Sequence, residues 1–116
     1  MLKIIYKICP EVLWRAAENA GRFDGAPVDL ADGFIHFSTA AQVEETAAKH
    51  FGGQADLLLV SVDAAKLGAS LKYEPSRGGA LFPHLYAPLD LAAVLGVETL
   101  PLGPSGRHVF PALDRP

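Results

Sequence analysis

Strand-like segments follow one another through the second half of the chain with only a short helical turn, at residues 64–68, between them. Period-two or continuous apolar patterns occur at residues 56–63, 70–74, 81–86 and 94–100, separated by turns rich in Gly and Pro. A parallel sheet would need a crossover connection, usually a helix, after nearly every strand. The sequence therefore predicts antiparallel pairing in this half and an α+β fold.

The first half of the chain supplies the helices. Residues 2–9 alternate between two faces, as a strand does, and residues 10–21 carry an apolar stripe that ends at a glycine. A second strand is predicted at residues 33–38 and runs directly into a helix over residues 39–51. Residues 22–32 fit neither period and are interpreted as a connecting loop. Two principal helices thus accompany five or six strands.

The length and composition indicate one domain. A chain of 116 residues, 50% hydrophobic and 20% charged, has the balance of a globular protein with its own core. The Pro- and Gly-rich tail at residues 101–116 is expected to be ordered in part at most. We therefore expect a single domain over residues 1–116 with a single site.

Charge and cysteine content exclude several classes of function. The formal net charge is −3 and the 10 Lys and Arg residues are scattered, so a general nucleic-acid-binding surface is not expected. The one cysteine, Cys9, rules out an internal disulfide and a zinc site with two thiolates. Lys3 and Lys7 interrupt the N-terminal apolar stretch, and the apolar run at residues 57–60 is too short to span a bilayer. We therefore expect no membrane association and a cytoplasmic location.

Candidate site residues lie in three apolar strings bounded by turns, because the sequence contains no sharp catalytic motif. In the first string, residues 33–39, alternation puts His36 and Ser38 on one face at the point where a helix begins. Free backbone amides at a helix N-terminus favour an anionic or carbonyl-bearing ligand, so both residues are candidate ligand contacts. The alternative is that His36 is an ordinary core or edge histidine with one satisfied nitrogen.

The second string, residues 71–77, carries Tyr73 and Glu74 at a strand end and Arg77 beside two glycines. Glu74 is a candidate carboxylate for orienting a hydroxyl or stabilising positive charge on a substrate. Arg77 is a candidate for gripping a phosphate. The alternatives are a salt bridge for Glu74 and a solvated loop position for Arg77.

The third string, residues 82–86, places His84 and Tyr86 on one face of a proline-bracketed segment. Both are candidate pocket-lining and ligand-binding residues, with simple packing under a loop as the alternative. The separations of His36, Glu74 and His84 along the chain match no metal-ligand spacing, so no metal site is predicted.

The same strings resemble a known family. Residues 32–42 (Asp-Gly-Phe-Ile-His-Phe-Ser-Thr-Ala-Ala-Gln), residues 73–75 (Tyr-Glu-Pro) and residues 79–89 (Gly-Ala-Leu-Phe-Pro-His-Leu-Tyr-Ala-Pro-Leu) are similar to the bacterial family called domain of unknown function 952. The resemblance runs nearly from end to end. That family is similar in fold to ADP-ribosyltransferases and the tRNA 2′-phosphotransferase. This implies a compact α+β domain whose split, mainly antiparallel sheet holds NAD in a cleft.

The resemblance also implies roles for individual residues. His36 and Ser38 would line the NAD site, and Glu74 would contact the nicotinamide ribose, which makes His36 and Glu74 the candidate catalytic pair. Tyr73 or Tyr86 would stack on a ring of the ligand.

Lys7 occupies the position at which family members carry a histidine after the first-strand tyrosine. A lysine donates hydrogen bonds but cannot accept one as a neutral imidazole does, so Lys7 bears directly on NAD chemistry. The implied function is an ADP-ribosyltransferase-like or NAD-cleaving enzyme that binds NAD or ADP-ribose. The alternatives are a noncatalytic module that binds a nucleotide or a protein, and an enzyme acting on another small phosphorylated metabolite.

Overall fold

The computed structural model describes residues 3–113, apart from the side chain of Arg77. The described helices are α1 (Glu11–Ala20), α2 (Pro27–Asp32) and α3 (Val43–His50). The described strands are β1 (Ile4–Pro10), β2 (Arg22–Phe23), β3 (Ile35–His36), β4 (Ser38–Thr39), β5 (Leu57–Asp63), β6 (Leu71–Ser76), β7 (Ala80–Leu85), β8 (Leu89–Asp90) and β9 (Val94–Leu100). Leu2, the predicted start of the first strand, lies outside the described residues. None of the helices in this part of the chain is long and apolar enough to cross a membrane.

The strands form separate antiparallel sheets. A four-stranded sheet has the order β4-β1-β5-β9, a three-stranded sheet has the order β3-β7-β6, and β2 pairs with β8. Every pairing between these strands is antiparallel. The predicted α+β class is therefore confirmed, and β5 lies inside its sheet between β1 and β9, as its apolar run predicted.

The four-stranded sheet is covered on both faces, because successive side chains of a strand point to opposite sides. One cluster of buried residues joins α1 to the sheet and includes Ile5, Cys9, Trp14, Ala17, Leu58, Val60 and Val62. A second cluster joins α3 to the sheet and includes Tyr6, Ile8, Val43, Ala47, Leu57, Leu59 and Leu100. Lys7 is buried on β1 between these apolar positions, so its charge needs a partner inside the protein.

The segment at residues 22–32, predicted as a loop, forms β2 and α2 instead. Pro27 begins α2, and the Asp29 side chain accepts a hydrogen bond from the Ala26 amide at 2.8 Å. Asp29 is the one buried residue of α2. The helix is therefore held to the body by a carboxylate rather than by an apolar stripe, and hydrophobic periodicity could not predict it.

The predicted strand at residues 33–38 is divided between two sheets. β3 pairs with β7 of the three-stranded sheet, whereas β4 pairs with β1 of the four-stranded sheet. This short crossing links the two sheets, so the side chains at its two ends face the space between them.

The C-terminal segment forms hydrogen bonds and apolar contacts with the rest of the fold. The Val109 amide donates to the Pro101 carbonyl at 2.8 Å, and the Gly53 amide donates to the Gly106 carbonyl at 3.1 Å. Phe110 packs against the cluster beneath α3. The described part of the tail, residues 101–113, therefore lies against the α3 side of the fold.

Candidate functional site

A cavity of about 490 Å³ lies where α2, α3, β1 and the three-stranded sheet meet. Its apolar lining includes Ile8, Val28, Phe37, Phe51 and Phe82. Its polar lining includes Lys7, Asp32, His36, Ser38, Thr46 and His84. Both the volume and the mixture of apolar walls with a few convergent polar groups are typical of small-molecule sites.

The first polar cluster joins β1, α2 and β3, and we call it the Asp29 network. Lys7 Nζ lies 2.9 Å from both carboxylate oxygens of Asp29. His36 Nδ1 lies 2.7 Å from Asp29 Oδ1, and the His36 amide donates to the same oxygen at 3.2 Å. His36 Nε2 lies 2.9 Å from Asp32 Oδ2. A doubly protonated His36 ring can donate to both carboxylates at once.

Burial and charge act against each other at Asp29. Its side chain is only 1% exposed and that of Lys7 only 6%. Burial alone would raise the pKa of Asp29, but the hydrogen bond from His36 and the charge of Lys7 outweigh it and lower the pKa to about 2. Asp29 is therefore a carboxylate at any physiological pH, and it fixes the orientation of His36.

The second polar cluster lies on the three-stranded sheet, and we call it the Glu74 network. Glu74 Oε1 accepts from His84 Nδ1 at 2.9 Å and from the Tyr86 hydroxyl at 2.6 Å. The bonds from Tyr86 and His84 lower the pKa of Glu74, and the bond to Glu74 raises the pKa of Tyr86. The side chain of His84 is 7% exposed whereas that of Glu74 is 36% exposed.

The pairing of β3 with β7 brings the two networks together. His36 and His84 are direct cross-strand partners, with ring centroids 5.6 Å apart. Phe34 stacks on His84 at a centroid distance of 4.0 Å and also contacts His36 and Tyr86. The imidazoles of two separate networks therefore face the same cavity around one aromatic ring.

A pair of hydroxyls adjoins the histidines. Ser38 Oγ lies 3.0 Å from Thr46 Oγ1, and the Thr46 hydroxyl donates to the Gln42 carbonyl at 3.1 Å. This links the end of β4 to the first turns of α3. Ser38 and His36 both line the cavity, as expected for residues that share a face.

The remaining predicted site residues occupy positions that differ from one another relative to the cavity. Tyr73 does not line the cavity; Lys3 Nζ lies 4.3 Å from its ring centroid, and its buried hydroxyl has no partner among the described residues. Glu74 and its partner Tyr86, which was predicted to line the pocket with His84, are not among the lining residues. Lys7 does line the cavity, with its charge directed to Asp29. The predicted phosphate contact of Arg77 concerns a side chain outside the described residues.

Sequence reasoning missed Asp29, Asp32 and Phe34. Asp29 lies 22 positions from Lys7 along the chain, so no local pattern connects them. Two signals did point to it. A lysine on a strand with apolar neighbours on both faces needs a buried counter-charge, and Pro27 followed by Asp29 fits the first turn of a helix.

Comparison with known proteins places these features in a family. The model of the family described as a protein of unknown function, DUF952, matches residues 8–97. The crystal structure of protein CC0527 from Caulobacter crescentus is similar, with 53% sequence identity over 91% of this chain and 93% of that chain and a TM-score of 0.88. The solution NMR structure of CC0527 is 54% identical over 90% of each chain, with a TM-score of 0.81. No curated protein matches the chain.

Proposed function

The chain belongs to the DUF952 family, and we propose that its cavity binds a small molecule toward which His84 acts as a proton acceptor. The observation that carries this proposal is the difference between the two nitrogens of His84. Nδ1 is 2.9 Å from Glu74, whereas Nε2 has no hydrogen-bond partner among the described residues. A neutral ring held in this way directs the Nε2 lone pair toward whatever occupies the cavity.

The Glu74 carboxylate supports this role in two ways. It fixes which nitrogen of His84 carries the proton, and its charge stabilises the imidazolium that forms when Nε2 takes up a second one. Stacking on Phe34 fixes the plane of the ring. We therefore assign Glu74 as a positioning residue, a different role from the ribose contact that the family resemblance implies.

His36 lies beside His84 on the same wall of the proposed site. Its ring centroid is 5.6 Å from that of His84, and its two nitrogens each face a carboxylate oxygen. Both nitrogens of His36 are thus directed at carboxylates, and His84 Nε2 is the imidazole nitrogen of the pair that is available to a ligand.

NAD or ADP-ribose is the ligand class for which the family resemblance argues. In an ADP-ribosyl transfer or NAD hydrolysis, His84 Nε2 would take the proton of the acceptor hydroxyl or water. A new bond would form between that oxygen and the ribose carbon, the ribose–nicotinamide bond would break, and nicotinamide would leave. A noncatalytic binding module is the second candidate, favoured by the occupation of both His36 nitrogens by carboxylates.

Thermal-shift titrations with NAD, ADP-ribose and nicotinamide riboside test binding. A ligand at 100 times its Kd adds about 2.7 kcal/mol, which raises Tm by several degrees. We expect His84→Ala to abolish most of this rise. His108→Ala is the matched control, because the His108 imidazole contacts the Gln54 carbonyl and does not line the cavity.

Release of nicotinamide from NAD separates the two candidate functions. Release by the native chain and its loss in His84→Ala support the enzyme. Binding without release over long incubation supports the noncatalytic module. Neither binding nor release with any of the three molecules contradicts the proposal.

A further inference from the structure

We infer that the cavity selects a ligand that carries no negative charge and presents hydrogen-bond donors, as a nucleoside does and its phosphate does not. This inference rests on the proposed function, because it names the ligand class of the same site: a nucleoside such as nicotinamide riboside, in place of the phosphate-bearing NAD and ADP-ribose that the family resemblance implies. It is carried by the directions of the hydrogen bonds around the cavity and by the ion pairs that the charged lining groups already form.

Ser38 and His84 both present acceptors. The Thr46 hydroxyl has one proton, and the Gln42 carbonyl, 3.1 Å away, can only accept it. The Ser38 hydroxyl must therefore be the donor in its 3.0 Å contact with Thr46, which leaves the lone pairs of Ser38 Oγ for a ligand. The Nε2 atom of a neutral His84 is likewise an acceptor, since Nδ1 carries the proton toward Glu74.

Asp32 adds a third acceptor and a negative charge. Its side chain lines the cavity and is 48% exposed, and Oδ2 is the oxygen that meets His36 Nε2. An incoming phosphate or carboxylate would approach this carboxylate directly. A hydroxyl or an N–H group would instead find an acceptor there.

Lys7 and His36, two of the basic groups that line the cavity, already face carboxylates. Lys7, the one lysine among the described lining residues, lies 2.9 Å from both oxygens of Asp29, and His36 lies between Asp29 and Asp32. Lys72 lies over the ring of Tyr86 at 5.4 Å and does not line the cavity. A phosphate placed beside Lys7 or His36 would therefore lose its hydration without gaining an unpaired cation, and His50, which also lines the cavity, is engaged in an interaction of its own.

The apolar walls complete the ligand class. Phe37, Phe51 and Phe82 line the cavity, and aromatic rings of this kind pack well against a flat heterocyclic base. A nucleoside joins such a base to a sugar whose hydroxyls donate hydrogen bonds. It therefore matches both the apolar walls and the acceptors, Ser38 and His84, within one cavity.

Matched pairs of ligands that differ by one phosphate test the inference by calorimetry. The pairs are adenosine with AMP, and nicotinamide riboside with nicotinamide mononucleotide. We expect the phosphate-free member to bind at least ten-fold more tightly at low ionic strength. This difference in affinity should become smaller as salt screens the repulsion between the phosphate and Asp32. Asp32→Asn should narrow the difference as well. Asp24→Asn should leave it unchanged, because Asp24 pairs with Arg22 and does not line the cavity.

Two results would overturn the inference, and they have different consequences for the proposed function. Equal or tighter binding of the phosphorylated members contradicts the ligand class but keeps the cavity as a binding site. If Arg77→Ala then abolishes that tighter binding, Arg77 is the group that holds the phosphate. Binding by none of the four molecules, with no change in the amide NMR signals of Ser38 and Phe82, contradicts the proposed function and the inference together.

Discussion

Two carboxylates in this protein each orient a histidine, but they do so in opposite surroundings. Asp29 is almost fully buried, accepts bonds from Lys7, His36 and the Ala26 amide, and holds α2 to the body of the protein. Glu74 is partly exposed on the three-stranded sheet and accepts bonds from His84 and Tyr86.

The same pair of chemical groups stabilises the fold in one place and, in the proposed function, contacts a ligand in the other. In the Asp29 network, both nitrogens of His36 are occupied, and loss of one charge would leave another buried and unpaired. In the Glu74 network, the carboxylate is solvated and one nitrogen of His84 remains available. We therefore expect substitutions in the first network to change stability and substitutions in the second to change ligand binding.

The largest expected effect is that of Asp29→Asn on the free energy of unfolding. The substitution keeps the shape of the side chain but leaves Lys7 buried without a counter-charge, which typically costs about 3–5 kcal/mol. Urea denaturation measures the change. Asp32→Asn is the matched control, since it removes the more exposed partner of the same His36 ring and should cost about 1 kcal/mol or less. Equal losses of unfolding free energy in the two variants would show that burial of the ion pair does not make Asp29 more important for stability than Asp32.

Acid should lower the free energy of unfolding through the Asp29 network, but by less than the Asp29→Asn substitution does. The pKa of Asp29 is lowered from 3.8 to about 2 in the folded protein. The folded state therefore binds this proton less readily than the unfolded state, so the stabilisation is complete above about pH 5 and is lost as the pH falls toward 2. The difference between the folded and unfolded pKa values of Asp29 corresponds to about 2 kcal/mol. Denaturation at pH 5, 4 and 3 would detect this change. A native chain equally stable at pH 5 and pH 3 would contradict this role of Asp29.

Glu74→Gln should separate binding from stability. Because the carboxylate is partly exposed, we expect Tm to change no more than for the surface control Glu45→Gln. The amide no longer dictates which nitrogen of His84 is protonated, so the affinity for nicotinamide riboside should fall about ten-fold. Nitrogen chemical shifts of the imidazole report the change in tautomer directly. A large fall in Tm without loss of affinity would contradict this prediction, because it would show that the Glu74 network serves stability rather than binding.

The smallest effect is expected for Tyr86→Phe. Removing the hydroxyl donor should raise the pKa of Glu74 toward its ordinary value while leaving Tm unchanged. A carboxyl carbon titration by NMR measures the shift. Tyr73→Phe provides the comparison, since the Tyr73 hydroxyl has no partner among the described residues and its loss should not move the Glu74 titration.

Much of the fold followed from local pattern. The apolar stripe that ends at a left-handed Gly21 predicted α1, and strand-like patterns predicted β1, β5, β6, β7 and β9. These elements bury apolar side chains, and burial of that kind leaves a period in the sequence. The helix α2 left none, because its single buried residue is Asp29.

The sequence by itself determined one part of the site, and the tertiary structure determined the rest. Alternation along the chain by itself put His36 with Ser38 and His84 with Tyr86, because neighbouring positions on a strand face are fixed by backbone geometry. Only the tertiary structure decided that Lys7 would meet Asp29, that Glu74 would stand behind His84, and that the two histidines would face one cavity. Those contacts depend on which strands pair and in what register. Pairing between distant strands is settled by how both faces of the sheets are buried, which no local segment of the sequence specifies.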